Sequence, residues 1–261
     1  MRIKITFKTR NQITYLPINT NYYLYKLINV LMHDYSRYLC SLVPKRSKRK
    51  KFDFYTFSQL IIPERVIEDY RIGILSEEFY WYVSSPFYQF LGILAKEIRE
   101  KQIVRIHEKW FQVAEVIYYP SPDFSSSSAR FTCLSPVAVY RKRVLDREER
   151  NDFKMSVLPE EDEYIHFLEK DLLYKHNILK NEKRDHLDFE LEFDKEYLKR
   201  RRNKITKVIT LEGEEQEQIR GVLAPLSIKA EPEILRLIYD MGLGQLNNWG
   251  FGMVERVHGA N

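Results

Sequence analysis

An α+β protein of two tandem ferredoxin-like (RRM-like) βαββαβ domains is the fold class the sequence predicts, and three observations predict it. Apolar residues recur with period two or with helical spacing in the order strand, helix, strands, helix, strand up to Tyr119. The Pro- and Ser-rich stretch PSPDFSSSS (120–128) then reads as a linker. Beyond it the same order recurs, which is what two βαββαβ units would give. A length of 261 residues suits two such units, and the expected domains are 1–122 and 129–261.

Each element has its own signal. RIKITFK (2–8) alternates apolar and polar, as a strand does, and the opening MRIKITFKT is expected to form a strand and not a signal peptide. Residues 21–43 predict one long helix, with Leu24, Leu27, Ile28, Leu31, Tyr35, Tyr38, Leu39 and Leu42 on an i, i+3, i+4, i+7 stripe. A basic loop follows at 44–51. Residues 53–62, 66–75 and 78–85 predict strands or strand fragments. Residues 86–99 predict a helix opened by proline, and 103–119 return as strands. After the linker, 130–142 predicts a strand, 159–179 a helix, and 186–193, 207–212 and 219–230 strands. Residues 231–243 predict a helix and 251–257 a closing strand.

Glycine is scarce, nine residues in all, yet Gly242, Gly244, Gly250 and Gly252 lie within MGLGQLNNWGFGMVE (241–255). Such a loop serves either of two ends. Successive backbone N–H groups at positive φ form an anion-binding concavity, a seat for a phosphate backbone. Alternatively the glycines simply turn the chain from helix to strand. No Lys-Ser/Thr pair follows, so it is not a P-loop, and it precedes a strand, so it is not a dinucleotide fingerprint.

The net charge is +5, but cations cluster: KRSKRKK (45–51) has six in seven positions and KRRRNK (199–204) five in six, the latter expected at a hairpin end. Local clusters favour a polyanionic partner. Two cysteines without a Cys-x-x-Cys spacing disfavour a disulfide framework or a cysteine zinc site. No apolar run reaches 18 residues, so no membrane span is expected, and a cytoplasmic location is.

GLGQLNNWGFGMV (242–254) resembles the C-terminal glycine-rich signature of the CRISPR repeat-processing endoribonucleases, the Cas6 family of the RAMP superfamily. LPINTNYYLYKLINVL (16–31) is similar to that family's opening helix, and KFDFYTFSQL (51–60) to its second-strand motif. YVSSPFYQFLGIL (82–94) and TCLSPVAV (132–139) fall where the family has similar segments, so the resemblance spans nearly the whole chain. It implies two ferredoxin-like domains and cleavage of CRISPR precursor RNA within repeats, with no metal or other cofactor. The ribose 2′-hydroxyl would attack the adjacent phosphorus, leaving a 2′,3′-cyclic phosphate and a 5′-hydroxyl. It also implies CRISPR repeat RNA and a CRISPR effector complex as partners, and a monomer or homodimer.

The resemblance breaks at the residues that would do the chemistry. Where many members carry a histidine after the first helix this chain has Cys40; Asn29 stands at a tyrosine position; the lysine position falls among Lys50, Lys51 and Asp53. A helical projection offers a substitute. His33, Cys40 and Asn29 lie opposite the core stripe, and His33 and Cys40 are two turns, about 10 Å, apart. His33 is then a candidate acid or base, Cys40 a weaker one, and Lys51 or Lys50 the cation. His33 is otherwise a solvated helix residue and Cys40 a small residue in a tight spot. Candidate RNA contacts are Lys45, Arg46, Lys48, Arg49 and Lys50 in the first cluster and Arg200, Arg201 and Arg202 in the second. In the loop they are Gly242, Gly244, Asn247, Asn248, Trp249, Gly250 and Gly252, with Trp249 able to stack on a base or pack on the sheet. A protein that holds repeat RNA without cutting it, and a structural subunit of an effector complex, are the competing functions.

Overall fold

A computed structural model describes residues 1–9, 13–44, 52–141, 156–202, 204–211 and 217–257. In the first half, β1 (Arg2–Lys8), β3 (Thr56–Phe57), β6 (Glu78–Ser84), β7 (Ile103–Ile106) and β8 (Lys109–Tyr119) form one antiparallel sheet in the order β3-β6-β1-β8-β7. With α1 (Asn21–Leu31) after β1 and α3 (Tyr88–Lys101) after β6, this is a ferredoxin-like unit with the first strand central. Alternation places Ile3, Ile5 and Phe7 of β1 beside Phe79, Trp81 and Val83 of β6, all completely buried. Leu24, Ile28 and Leu31 of α1 and Leu91, Leu94 and Ile98 of α3 close over them. A short sheet of β2 (Thr14–Pro17), β4 (Arg65–Glu68) and β5 (Arg71–Ile74), ordered β2-β5-β4, is inserted at one end.

The second half repeats the plan. β9 (Ser128–Cys133), β10 (Glu190–Phe193), β13 (Leu226–Lys229) and β14 (Val254–Arg256) are ordered β10-β13-β9-β14. They are covered by α4 (Glu163–Lys180) and α6 (Pro232–Met241), whose Leu168, Leu172, Leu235 and Ile238 pack on Phe131 and Ile228. Between β10 and β13 the chain inserts α5 (Lys195–Arg200) and the hairpin of β11 (Thr206–Leu211) and β12 (Glu217–Val222).

The units share an apolar seam: Val43 and Phe54 from the first meet Ile178, Leu237 and Met241 from the second. Arg2, 1% exposed, crosses it. Its guanidinium donates to Glu255 at 2.6 Å and to the carbonyls of Tyr239 and Val254, and lies 3.6 Å from the centre of the Tyr239 ring.

Several expected elements are divided. The helix expected over 21–43 stops at Leu31, passes through a 3-10 turn at His33–Tyr35, and resumes as α2 (Ser36–Leu42). Both Met32 and Leu39 are buried by this change of direction, and the Tyr35 hydroxyl reaches Glu97 on α3 at 2.7 Å. The strand expected over 66–75 is a hairpin turned at Asp69, φ +50°. That over 103–119 turns at His107, φ +56°, and 219–230 divides into β12 and β13 before Pro225. Period-two alternation continues through a tight hairpin, so the pattern alone does not mark the reversal. Arg200, Arg201 and Arg202 do not sit at a hairpin end; they close the short helix α5, where side chains of Lys and Arg complement the exposed helix carbonyls.

Candidate functional site

The face of α1 opposite its core stripe opens onto a cleft of about 530 Å³. Tyr22, Lys26, Asn29 and His33 line it at spacings of four, three and four residues, one helical face continued across the break at Met32. Its floor is Leu39, Tyr55 and Phe90, with the Tyr55 ring stacked on Phe90 at 4.9 Å. Burial holds the Tyr55 hydroxyl well above its ordinary pKa, so it stays protonated. The His33 side chain is exposed and makes no hydrogen bond or ion pair among the described residues. Lys26 lies 5.9 Å from the Tyr22 ring centre. The cleft thus gathers a free imidazole, a cation, an amide and phenols, which can move a proton and stabilise an anion.

The glycine-rich loop forms one end of this cleft's surroundings. Trp249 lies in a 3-10 turn, Asn247–Trp249, and stacks on Tyr25 of α1 at 3.8 Å. The Asn21 side-chain amide at the start of α1 donates to the carbonyls of Trp249 and Gly250. From the other side, buried Lys175 of α4 donates to the carbonyls of Gly242 at 3.0 Å and Gly244 at 2.7 Å, and pairs with Asp171. The loop is therefore held between the second unit's helix and the first unit's helix.

All four glycines have positive φ and are buried. The N–H groups of Gly242, Gly250 and Gly252 donate to the carbonyls of Ile238, Asn247 and Pro136. They do not present the open concavity expected of a phosphate seat; closure of the loop consumes them. Close approach explains the glycines instead: a Cβ on Gly250 would meet the Phe57 ring at 2.2 Å, and one on Gly252 the Leu243 carbonyl at 1.9 Å. Asn247 is buried too, donating to the Phe251 carbonyl, while Asn248 and Trp249 remain half-exposed.

Of the other expected residues, Cys40 is half-buried in α2 and does not line the cleft, because the 3-10 turn breaks the helical register linking it to His33. Lys45, Arg46, Lys48, Arg49, Lys50 and Lys51 lie outside the described residues. Arg200, Arg201 and Arg202 are exposed on the second unit and do not border the cleft. Tyr22, Tyr25 and Lys26 were not anticipated. The signal was present, since the projection that singles out His33 and Asn29 also puts Tyr22 and Lys26 on their face. Among the described residues no group of three or more His, Cys, Asp or Glu is arranged to hold a metal ion, and no helix is long and apolar enough to cross a membrane.

The family models for the N-terminal region of CRISPR-associated protein Cas6 and for the C-terminal region of CRISPR-associated protein Cas6 match residues 15–117 and 119–256. The CRISPR-associated endoribonuclease Cas6 1 of Methanocaldococcus jannaschii is 28% identical over 266 aligned residues, covering 100% of this chain and 94% of that protein. Among solved structures, a Cas6-related protein of Pyrococcus furiosus superposes with a TM-score of 0.78 at 25% identity over 98% of both chains. A RAMP protein described as binding different RNA substrates has the same fold, with a TM-score of 0.78 at 24% identity over 99% of this chain and 100% of that one. Two consecutive models spanning nearly all of the sequence, on an architecture shared from end to end, identify the chain as a member of the Cas6 family of CRISPR-associated proteins.

Proposed function

We propose that this protein is an endoribonuclease that cleaves CRISPR precursor RNA within its repeats, without a metal ion, to yield guide RNA. The observation that carries this is the cleft of α1, where the unpartnered His33 imidazole shares one wall with Lys26, Asn29 and Tyr22. In the reaction, the proton of a ribose 2′-hydroxyl passes to a base as the 2′-oxygen bonds to phosphorus. The bond from phosphorus to the 5′-oxygen breaks, and that oxygen takes a proton from an acid. The products are a 2′,3′-cyclic phosphate and a 5′-hydroxyl. His33 is the proton carrier in this scheme. Lys26 offsets the charge of the phosphorane, a role first expected of Lys51. Asn29 and Tyr22 orient the strand. The RNA is also gripped by the basic runs, by Arg200, Arg201 and Arg202, and by the exposed edges of Asn248 and Trp249.

A second reading has a specific basis: Cys40 stands where the resemblance to the family implies a histidine, and it lies outside the cleft. The chain would then hold repeat RNA and cut it slowly or not at all. Incubating purified protein with end-labelled repeat RNA in EDTA separates the two. One discrete cut with a cyclic-phosphate end is expected, and His33→Ala is expected to slow it by about 10²–10⁴-fold. A shifted but intact RNA selects the binding reading; cleavage unchanged in His33→Ala removes His33 from the mechanism.

A further inference from the structure

On the other side of α1, two grooves of about 990 and 530 Å³ meet at the tip of the β7–β8 hairpin. Both are lined by Ile103, His107, Trp110 and Lys101. Trp110 is 62% exposed there, beside Ile103 at 49% and Val30 of α1 at 63%. A tryptophan left this open beside the turn of a hairpin costs apolar exposure that packing would ordinarily remove. The charges around it are one-sided. Lys26, Arg71, Lys101, Arg105 and Lys109 line the two grooves against the single carboxylate of Glu108, and none of the five is in an ion pair among the described residues. Cations and rings alternate: the Arg105 guanidinium lies 5.9 Å from the Trp110 ring centre, Arg71 lies 5.1 Å from that of Tyr15, and His107 meets the edge of Tyr23 at 4.5 Å.

We infer that this face binds a single-stranded segment of RNA, with a base stacked on Trp110 and its phosphates met by Lys101, Arg105 and Lys109. Unpaired cations flanking an open aromatic are what unstacked bases on a polyanionic chain require. A duplex does not fit the same description, because its bases are stacked on one another and offer no free face to an aromatic ring. The inference rests on the proposed cleavage reading in one respect, the path of the strand. Lys26 borders both the His33 cleft and the second of these grooves, so α1 is the ridge between them. A strand leaving the cleft over Lys26 arrives at Trp110 after crossing the width of one helix. The surface extends the hold on the substrate beyond the reacting phosphate and makes affinity depend on unpaired nucleotides there.

The test uses the full protein and a fluorescein-labelled oligouridylate of about twelve nucleotides, a length within the usual reach of single-strand sites. Trp110→Ala is expected to weaken binding, read by anisotropy, by about ten-fold, and Trp110→Phe to retain most of it. Tyr88→Ala, which removes an equally open ring (66% exposed) bordering neither groove, is expected to leave affinity unchanged. A blunt RNA duplex is expected to lose nothing with Trp110→Ala. Equal affinity of Trp110→Ala and the unaltered protein for the oligouridylate overturns the inference. So does no measurable binding by the unaltered protein, or a dimer in light scattering that Trp110→Ala converts to monomer with RNA affinity intact, which would make the face a contact between copies. The cleavage reading fails separately: a protein that binds the oligouridylate through Trp110 but leaves repeat RNA whole keeps this surface and loses the nuclease.

Discussion

Individual side chains in this protein separate reactive groups from enclosed ones. Cys133 donates its thiol hydrogen to the Ala224 carbonyl at 3.1 Å, and enclosure of the sulfur pushes its pKa up to about 12, although the residue as a whole is only half-buried. Burial likewise raises the Tyr239 hydroxyl to about 12, against the opposing pull of Arg2. Both groups hold their protons more tightly in the folded state than in the unfolded one. Their contribution to stability is therefore complete below about pH 9 and is lost as pH climbs toward 12. We predict that the melting temperature falls through this window. Cys133→Ala should flatten the fall by roughly 1.4 kcal/mol per pH unit, as read from denaturation midpoints across the range. A different residue carries the opposite expectation. Tyr164 is 1% exposed and its hydroxyl has no hydrogen-bond partner among the described residues. Tyr164→Phe removes a desolvated polar atom and keeps the ring, so a stability gain of about 1 kcal/mol is predicted; a loss would show that the hydroxyl is satisfied in solution.

At the scale of elements, the glycine-rich loop joins the two halves by touching both. Trp249 on Tyr25 and the Asn21 amide on the loop carbonyls fix the start of α1, while Lys175 holds the loop's first turn to α4. Gly252→Ala combines a positive φ of 72° with a Cβ driven into the Leu243 carbonyl, and we predict a destabilisation of at least about 3 kcal/mol or failure to fold. Trp249→Ala is milder and more informative. It frees Tyr25 without a clash, and we predict a drop in repeat-RNA cleavage larger than the change in melting temperature explains. The interrupted helix was the element whose sequence misled. The stripe from Leu24 to Leu42 has helical spacing throughout, yet the chain turns at Met32 to bury Met32 and Leu39 together. That turn keeps His33 with Asn29 and removes Cys40 from their face.

For the whole molecule, the decisive contact is Arg2, whose charge sits in the seam between the units and is satisfied from the second unit by Glu255 and two carbonyls. Arg2→Met would leave the buried carbonyls of Tyr239 and Val254 without their donor, at a cost on the order of 1–3 kcal/mol, while the partly exposed Glu255 carboxylate turns to solvent. Because the seam couples the units, we predict that this variant unfolds in two transitions by calorimetry where the unaltered protein unfolds in one; a single transition in both would show that the apolar seam of Phe54, Leu237 and Met241 suffices.

By itself the sequence determined the class of fold, because apolar periodicity is a local property and each βαββαβ unit writes it twice within its own span. It also determined that one face of the first helix would carry His33 and Asn29, since helical projection needs no partner. It left open which of two purposes the glycines serve, and it hid the hairpin turns at Asp69 and His107. Only the tertiary structure decided that Gly250 must clear the Phe57 ring, that Lys175 reaches the Gly244 carbonyl, and that Trp249 stacks on Tyr25. Those are contacts between residues far apart along the chain. Their geometry is set by packing between distant segments, within the second unit as well as across the seam, and no local pattern encodes that.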